Sequence, residues 1–308
     1  MYPPLDLRQL ACFVAAAESG TMTAAGERLR LSQSAVSLAV RALERRLGAQ
    51  LLVRRSARQL LLTPAGARLL PAARELLAHA DEVQRAGRAG PSGAIAGPLT
   101  VGCFRTIAPL LLPGLLQSFD ALHPAVELDF LEGPVPELEA AMRDGRCDLA
   151  IADALAVSDE MERDSLFATH AYALFAADDP LAARTEIAVA ELAERELILF
   201  DLPPSRELLL RILTDAGIEP RIRHRTSSHE LVRGLVGRGL GYALLVSRPA
   251  HDLTHEGLPL AAVPLAGPVP EHEFALCWPR GARLTRQAAA FAEHCRAHVR
   301  AQGPELLR

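Results

Sequence analysis

The residues best placed for chemistry lie between Ser32 and Leu47, where SQSAVSLAVRALERRL alternates apolar and polar side chains at helical spacing. At about 100° per residue, Val36, Val40, Leu43 and Leu47 gather on one side, with Ala35, Ala39 and Ala42 beside them. The opposite arc carries Gln33, Ser34, Ser37, Leu38, Arg41 and Arg45. Short hydrogen-bonding groups in the leading turn of an exposed helix, followed by cations, suit contact with base edges, because that turn reaches the floor of a DNA groove. Polar arcs opposite apolar ones are common on surface helices, so the periodicity alone does not decide.

The neighbouring segments are those a reading helix needs. Ser32 is a natural N-cap. A shorter helix from Thr21 or Thr23 to Leu29 precedes it, and Ala24, Ala25 and Gly26 on its inner side let two helices cross closely. Residues 6–18 form a first helix whose Leu7, Leu10, Phe13, Val14 and Ala17 cover the pair, and Gly20 ends it. Two short strands, 51–54 and 59–62, turn at Ser56 and Ala57 to make a wing, on which Arg54, Arg55 and Arg58 stand ready for phosphate contact. The expected DNA-contacting set is Thr23, Ser32, Gln33, Ser34, Ser37, Leu38, Arg41, Arg54, Arg55 and Arg58.

Thr63 and Pro64 open a long helix reaching about Gly87, with Pro71 expected to kink it or break one of its hydrogen bonds. Leu69, Ala73, Leu76, Ala80 and Val83 recur at alternating four and three spacing, the pattern of a two-stranded dimer seam; docking against the first domain gives the same stripe. A dimer supplies two half-sites about 34 Å apart. The domain reading is 1–63 for the winged helix-turn-helix, 64–87 for the dimerisation helix, 88–98 for a hinge rich in Gly, Pro, Ser and Ala, and 99–308 for a ligand-responsive domain.

Composition supports this division. The net charge is −4, yet residues 1–90 hold 13 Arg against 7 acids, leaving an acidic remainder. All 33 basic residues are Arg, which excludes a Walker-A lysine, a Schiff-base lysine and a Ser-x-x-Lys nucleophile. The five cysteines form no Cys-x-x-Cys pair and read as free buried thiols, with a redox role for Cys103 the lesser alternative. His294 with His298, and His251 with His255, have helical spacing but lack further zinc ligands. Gly237–Gly241 joins helix to strand, the reverse of a dinucleotide fingerprint, and no Gly-x-Ser-x-Gly elbow occurs. No enzyme, cofactor or metal is expected. No apolar run approaches a membrane span, and the first residues lack a secretory layout, so a cytoplasmic, membrane-free protein is the expectation.

Beyond residue 98 strands and helices alternate. Strands are expected at 99–103, 126–131, 148–152, 172–176, 197–200, 221–225, 241–246 and 274–278, with helices at 107–122, 136–144, 206–216, 230–238 and 284–299. This is an α/β arrangement of two Rossmann-like subdomains, about 99–165 with 268–300, and about 166–267. Ligands bind outside the carboxyl ends of such strands. That rule nominates Phe104, Arg105, Thr106, Glu132, Pro204, Ser205, Arg206, Thr226, Ser227 and Ser228. Hydroxyls and guanidinium groups at helix N-termini favour a small acid, although Ser and Thr there also serve as plain N-caps.

The whole pattern resembles the LysR-type transcriptional regulators. The resemblance is carried by Leu7, Leu10, Phe13 and Val14; Ala25 and Leu29; Ser32-Gln33-Ser34-Ala35-Val36-Ser37; Leu43-Glu44, Leu47-Gly48, Leu51-Leu52 and Arg54; and Leu62-Thr63-Pro64-Ala65-Gly66. It implies a periplasmic-binding-protein-like effector domain behind the winged head. The implied partners are double-stranded promoter DNA, a small-molecule effector, further copies in a homodimer or homotetramer, and RNA polymerase. The chain departs from the family at Leu38-Ala39, where Arg-Gln is frequent, and at Gly26, where Ala is usual. The first departure implies another base preference, with Leu38 against a thymine methyl; the second implies a looser motif. A solute-binding protein would need a secretion signal and no basic head, and an enzyme would need a convergent acid, base or nucleophile set.

Overall fold

A computed structural model of the chain describes residues 5–56, 59–88 and 95–302, reaching the backbone alone at 54–56, 81–82, 84–88 and 302. It divides into two compact units, residues 1–95 with 143–146, and residues 96–142 with 147–308.

The first unit is built on three helices: α1 (Leu7–Ser19), α2 (Met22–Leu29) and α3 (Gln33–Leu47). Each begins at a side-chain cap. Asp6 accepts from Arg8 N–H, Thr21 from Ala24 N–H and Ser32 from Ala35 N–H, which satisfies donors left over in each first turn. Thr21, rather than Thr23, is therefore the cap of α2. Leu10, Phe13, Val36, Val40 and Leu43 form the core, with Ala25 filling the crossing of α1 and α2. Gly26 tightens the motif instead of loosening it: a Cβ there would stand 2.6 Å from the Leu31 carbonyl oxygen, so its lost helix propensity secures the sharp turn into α3.

The wing consists of antiparallel β1 (Leu52–Ser56) and β2 (Gln59–Leu62), pairing Leu52 with Leu62 and Arg54 with Leu60. Helix α4 (Pro64–Arg88) follows, and Thr63 Oγ accepts from Gly66 N–H at 3.0 Å. The helix continues through Pro71. The predicted seam does not lie along one exposed stripe: Ala73 is 2% exposed and, with Leu70, joins the core, Leu69 packs against it, and Leu76 and Val83 face outward. Docking within the unit accounts for the start of the stripe.

Among the described residues the second unit holds two larger sheets and a two-stranded parallel pair. The first has the order β4–β3–β5–β13–β6, from β3 (Gly97–Phe104), β4 (Val126–Gly133), β5 (Leu149–Asp153), β6 (Met161–His170) and β13 (Glu271–Pro279). Strands β3, β4 and β5 are parallel, and β13 runs antiparallel to both neighbours. Helices α5 (Ala108–Leu122), α6 (Val135–Arg143) and α9 (Arg286–Gln302) accompany it. In the second sheet, β7 (Tyr172–Ala176), β8 (Ile187–Ala188), β11 (Ala243–Leu245) and β12 (Leu260–Ala266) follow the order β11–β7–β12–β8. The parallel pair β9 (Glu196–Phe200) and β10 (Arg221–Thr226) touches β11 through a bridge between Leu197 and Tyr242, and α7 (Ser205–Asp215) and α8 (His229–Gly237) pack alongside. The hinge expected over 88–98 is shortened, because β3 begins at Gly97; residues 89–94 lie outside the described residues. The chain passes between the sheets twice, from β6 to β7 and from β12 to β13.

Candidate nucleic-acid interface and effector cleft

On α3 the apolar arc is buried at Val36, Val40 and Leu43, whereas Ser32, Gln33, Ser34, Leu38 and Arg41 are exposed and Ser37 is half-exposed. Leu38 is 65% exposed, an outward apolar side chain amid hydrogen-bonding groups. Thr23 is exposed on the first turn of α2. Ser32 and Ser34 stand with their hydroxyls 3.0 Å apart, so the cap shares its oxygen with the reading arc. A concavity of about 260 Å³ beside α3 is lined by Ser37, Arg41 and, from the start of the wing, Gln50, which the sequence reading did not single out. Arg54 and Arg55 belong to β1 by their backbone; their side chains, and Arg58 entirely, lie outside the described residues. Glu44, on the flank of α3, accepts from Leu51 N–H and Leu52 N–H and so fixes where the wing leaves the helix.

The second unit contains a cleft of about 580 Å³. One wall comes from the β3–α5 junction: Arg105, Thr106, Pro109 and Leu110. The other comes from Phe200 and Leu202 after β9, Ser227 to Glu230 at the start of α8, and Pro249 and His255 from the stretch between β11 and β12. Arg105 is exposed, and no acid pairs with it among the described residues. Thr106 is 9% exposed and its hydroxyl has no hydrogen-bond partner. Helix α5 begins without a side-chain cap, and the N-terminal ends of α5 and α8 both contribute to the lining. The positive end of α5 and the unpaired guanidinium of Arg105 make that wall of the cleft receptive to an anion, while the first turn of α8 brings the carboxylate of Glu230 to the other.

Of the ten nominated effector residues, Arg105, Thr106, Ser227 and Ser228 line this cleft. The other six do not. Phe104 is wholly buried, a core residue at the end of its strand. Glu132 is exposed on the β4 side. Ser205 is buried, while Arg206 pairs with Asp201 and Glu207. Pro204 is the residue preceding α7, and Thr226 is occupied in a turn, its hydroxyl accepting from Ser228 N–H. Ser228 is itself a helix cap, accepting from Leu231 N–H, so capping holds there alongside exposure to the cleft. The missed lining, from Pro109 to His255, comes largely from helix first turns and irregular chain, where no spacing signal points.

The histidine pairs separate. His255 reaches the cleft, while His251 gives its carbonyl to the wholly buried Arg233, which also donates to Leu253 O. His294 and His298 are half-buried, and both approach the Ser118 hydroxyl. Among the described residues no group of three or more His, Cys, Asp or Glu is placed to hold a metal ion. All five cysteines are free and buried, and burial raises each thiol pKa, to about 12 at Cys147 and Cys277. Among the described residues no helix is long and apolar enough to cross a membrane.

Comparison with known proteins places both units. Residues 7–67 match the model of the bacterial regulatory helix-turn-helix protein, lysR family, and residues 92–300 match that of the LysR substrate binding domain. A hydrogen peroxide-inducible genes activator of Dickeya chrysanthemi is 29% identical over 96% of either chain. The crystal structure of HinK, a LysR family regulator of Pseudomonas aeruginosa, is 34% identical with a TM-score of 0.65, covering 96% of this chain and 98% of that one. Full-length CbnR in complex with its target DNA is 25% identical with a TM-score of 0.56, covering 95% and 99%. From its capped reading helix to its two-sheet carboxyl-terminal unit, the chain belongs to the LysR family of DNA-binding transcriptional regulators with an effector-binding domain.

Proposed function

We propose that this protein reads promoter DNA through Gln33, Ser34, Ser37, Leu38 and Arg41, steadied by phosphate contacts from Thr23, Ser32 and the wing arginines, and that a small acid in the 580 Å³ cleft sets its regulatory state. The observation that carries the DNA reading is the division of α3: its apolar arc is buried in the unit's core and its polar arc is turned to solvent. The relative CbnR is captured on its target DNA, in keeping with such a surface. The protein acts as a homodimer or homotetramer, with Leu76, Ala80 and Val83 of α4 available to a second copy; Leu69 and Ala73 are taken up by the unit's own core.

The acid enters between Arg105 and the first turns of α5 and α8, with Thr106 as donor. It acts only through unequal affinity for two arrangements of the protein. Peroxide is not the signal, although relatives are named for it: a sensor thiol must be reachable and ionised, and every cysteine here is buried with its thiol form favoured. The fold serves regulation rather than catalysis, and RNA polymerase is the further partner.

The test is retention of DNA from the intergenic region beside its own gene. Affinity falls steeply between about 50 and 200 mM salt, as counterion release requires, and Arg41→Ala costs about 1 to 3 kcal/mol while changing sequence preference. A flat salt response removes the phosphate contacts, and a uniform loss on every sequence makes Arg41 a backbone contact.

A further inference from the structure

The two walls of the cleft differ in the charge they leave to spare. Arg105, beside the uncapped start of α5, is exposed and pairs with no acid among the described residues. At the other wall the charges answer one another within the protein. The Glu230 carboxylate has His229 Nδ1 at 3.6 Å and Arg233 Nε at 3.5 Å from Oε1, and His255 Nε2 at 3.4 Å from the buried Oε2. His229 holds this carboxyl group below the usual carboxylate range, against the opposing effect of burial, with Arg233 and His255 adding to the lowering. The remaining nitrogen of His229, Nε2, lies 3.1 Å from the Ser247 carbonyl oxygen, and Arg233 is wholly buried behind the lining, donating through Nη2 to the carbonyls of His251 and Leu253. Glu230 also sits in the first turn of α8, where its charge offsets the positive helix end. This wall therefore keeps no cation for a second acid group and no free carboxylate for an amine. The rest of the lining is largely apolar, from Pro109, Leu110, Phe200, Leu202 and Pro249. A charge set against those side chains loses its water without gaining a partner.

We infer that the effector is a monoacid whose remainder is apolar and uncharged: its one acid group goes to Arg105, and the self-contained Glu230 cluster turns away diacids and zwitterions alike. This rests on the reading of the cleft as an acid site. Glu230 is thus a specificity-determining residue, acting by occupying the cations that a second acid group would need.

Calorimetric titration of the full-length protein separates the two statements. Two probe series vary only the far end of the acid: hexanoate, adipate and 6-aminohexanoate, and the 4-methyl, 4-carboxy and 4-aminomethyl derivatives of phenylacetate. In at least one series the methyl-ended acid binds about tenfold tighter than both charged partners, because a carboxylate or ammonium against the apolar lining is desolvated without a counterion. In Glu230→Gln the cations of the cluster are released, so the diacid gains on the methyl-ended acid, which binds as before and shows the cleft intact. Diacids or amino acids that equal their methyl-ended partners in both series, or a diacid gap unchanged in Glu230→Gln, overturn the inference and leave the acid site standing. If no member binds, or if binding is indifferent to Arg105→Ala, the acid site falls and the inference with it.

Discussion

The carboxylate of Glu44 accepts the backbone N–H of Leu51 at 2.8 Å, so α3, the proposed reading helix, and the wing beside it are held in register by one side chain. The same oxygen accepts Leu52 N–H at 3.2 Å. Glu44→Ala leaves two donors at the strand entry without that acceptor and costs about 2 kcal/mol, a charged acceptor being worth more than a neutral one. Glu44→Gln recovers much of it through its amide oxygen. Denaturant unfolding gives the cost, and DNA retention in Glu44→Ala loses salt dependence as the wing ceases to hold its place.

Gly66 makes a second test of the same corner. A Cβ at this position in the first turn of α4 would press into the Leu51 carbonyl oxygen, which is backbone and cannot swing aside. Gly66→Ala therefore displaces the wing from α4 and destabilises the first unit by about 1 to 3 kcal/mol despite the gain in helix propensity. Thermal unfolding of the variant measures this, and an unchanged midpoint would show that the strand yields freely.

Leu38 is the proposed determinant of base preference. An exposed leucine on the reading arc favours a thymine methyl, and Leu38→Arg transfers preference toward guanine. Selection of bound sequences from a random pool, run in parallel for the two proteins, shows the change at one position of each half-site. Identical selected sites would remove Leu38 from the interface.

The effector-binding unit is acid-sensitive, with a sign fixed by its histidines. Burial pushes His294 and His298 below their ordinary value of 6.5, helped at His294 by the neighbouring His298 and His123. The unfolded chain consequently binds more protons than the folded one just below pH 6.5, and stability falls as pH is lowered through the folded pKa values. Melting midpoints followed from pH 7.5 to pH 5.5 decline, and the double change His294→Gln with His298→Gln flattens the decline. An equal slope in both proteins would place the acid sensitivity elsewhere.

Native protein exposed to a chromogenic disulfide reagent reacts slowly at all five cysteines, and denatured protein reacts at once. Peroxide accordingly leaves DNA affinity unchanged. Rapid modification of one thiol in the native state would reopen redox sensing.

How much of this was legible beforehand follows from what repeats in the sequence. Helix α3 and its Ser32 cap were readable to the residue, because an apolar repeat and a capping hydroxyl are both local signals. Strand β6 was not: Glu162, Arg163 and Asp164 crowd it with charge, acceptable on a sheet edge and misleading in a search for apolar runs. Strand β12 was hidden by alanines and Pro264, which weaken a strand signature although the segment lies between β7 and β8. In the cleft, the strand-end rule found Arg105, Thr106, Ser227 and Ser228, whereas Glu230, Pro249 and His255 depend on how α8 and irregular chain turn inward, which no spacing encodes. The α4 stripe was legible as a stripe, but its division between core and solvent depends on tertiary packing.

The two passages of chain between the sheets leave from β6 and enter β13, and these strands are direct neighbours in the first sheet. Both connections therefore emerge along a single line, like the two leaves of a door sharing one pin. Neighbouring crossings of this kind suit a hinge, about which a ligand touching both lobes would act with the leverage of its distance from the crossings.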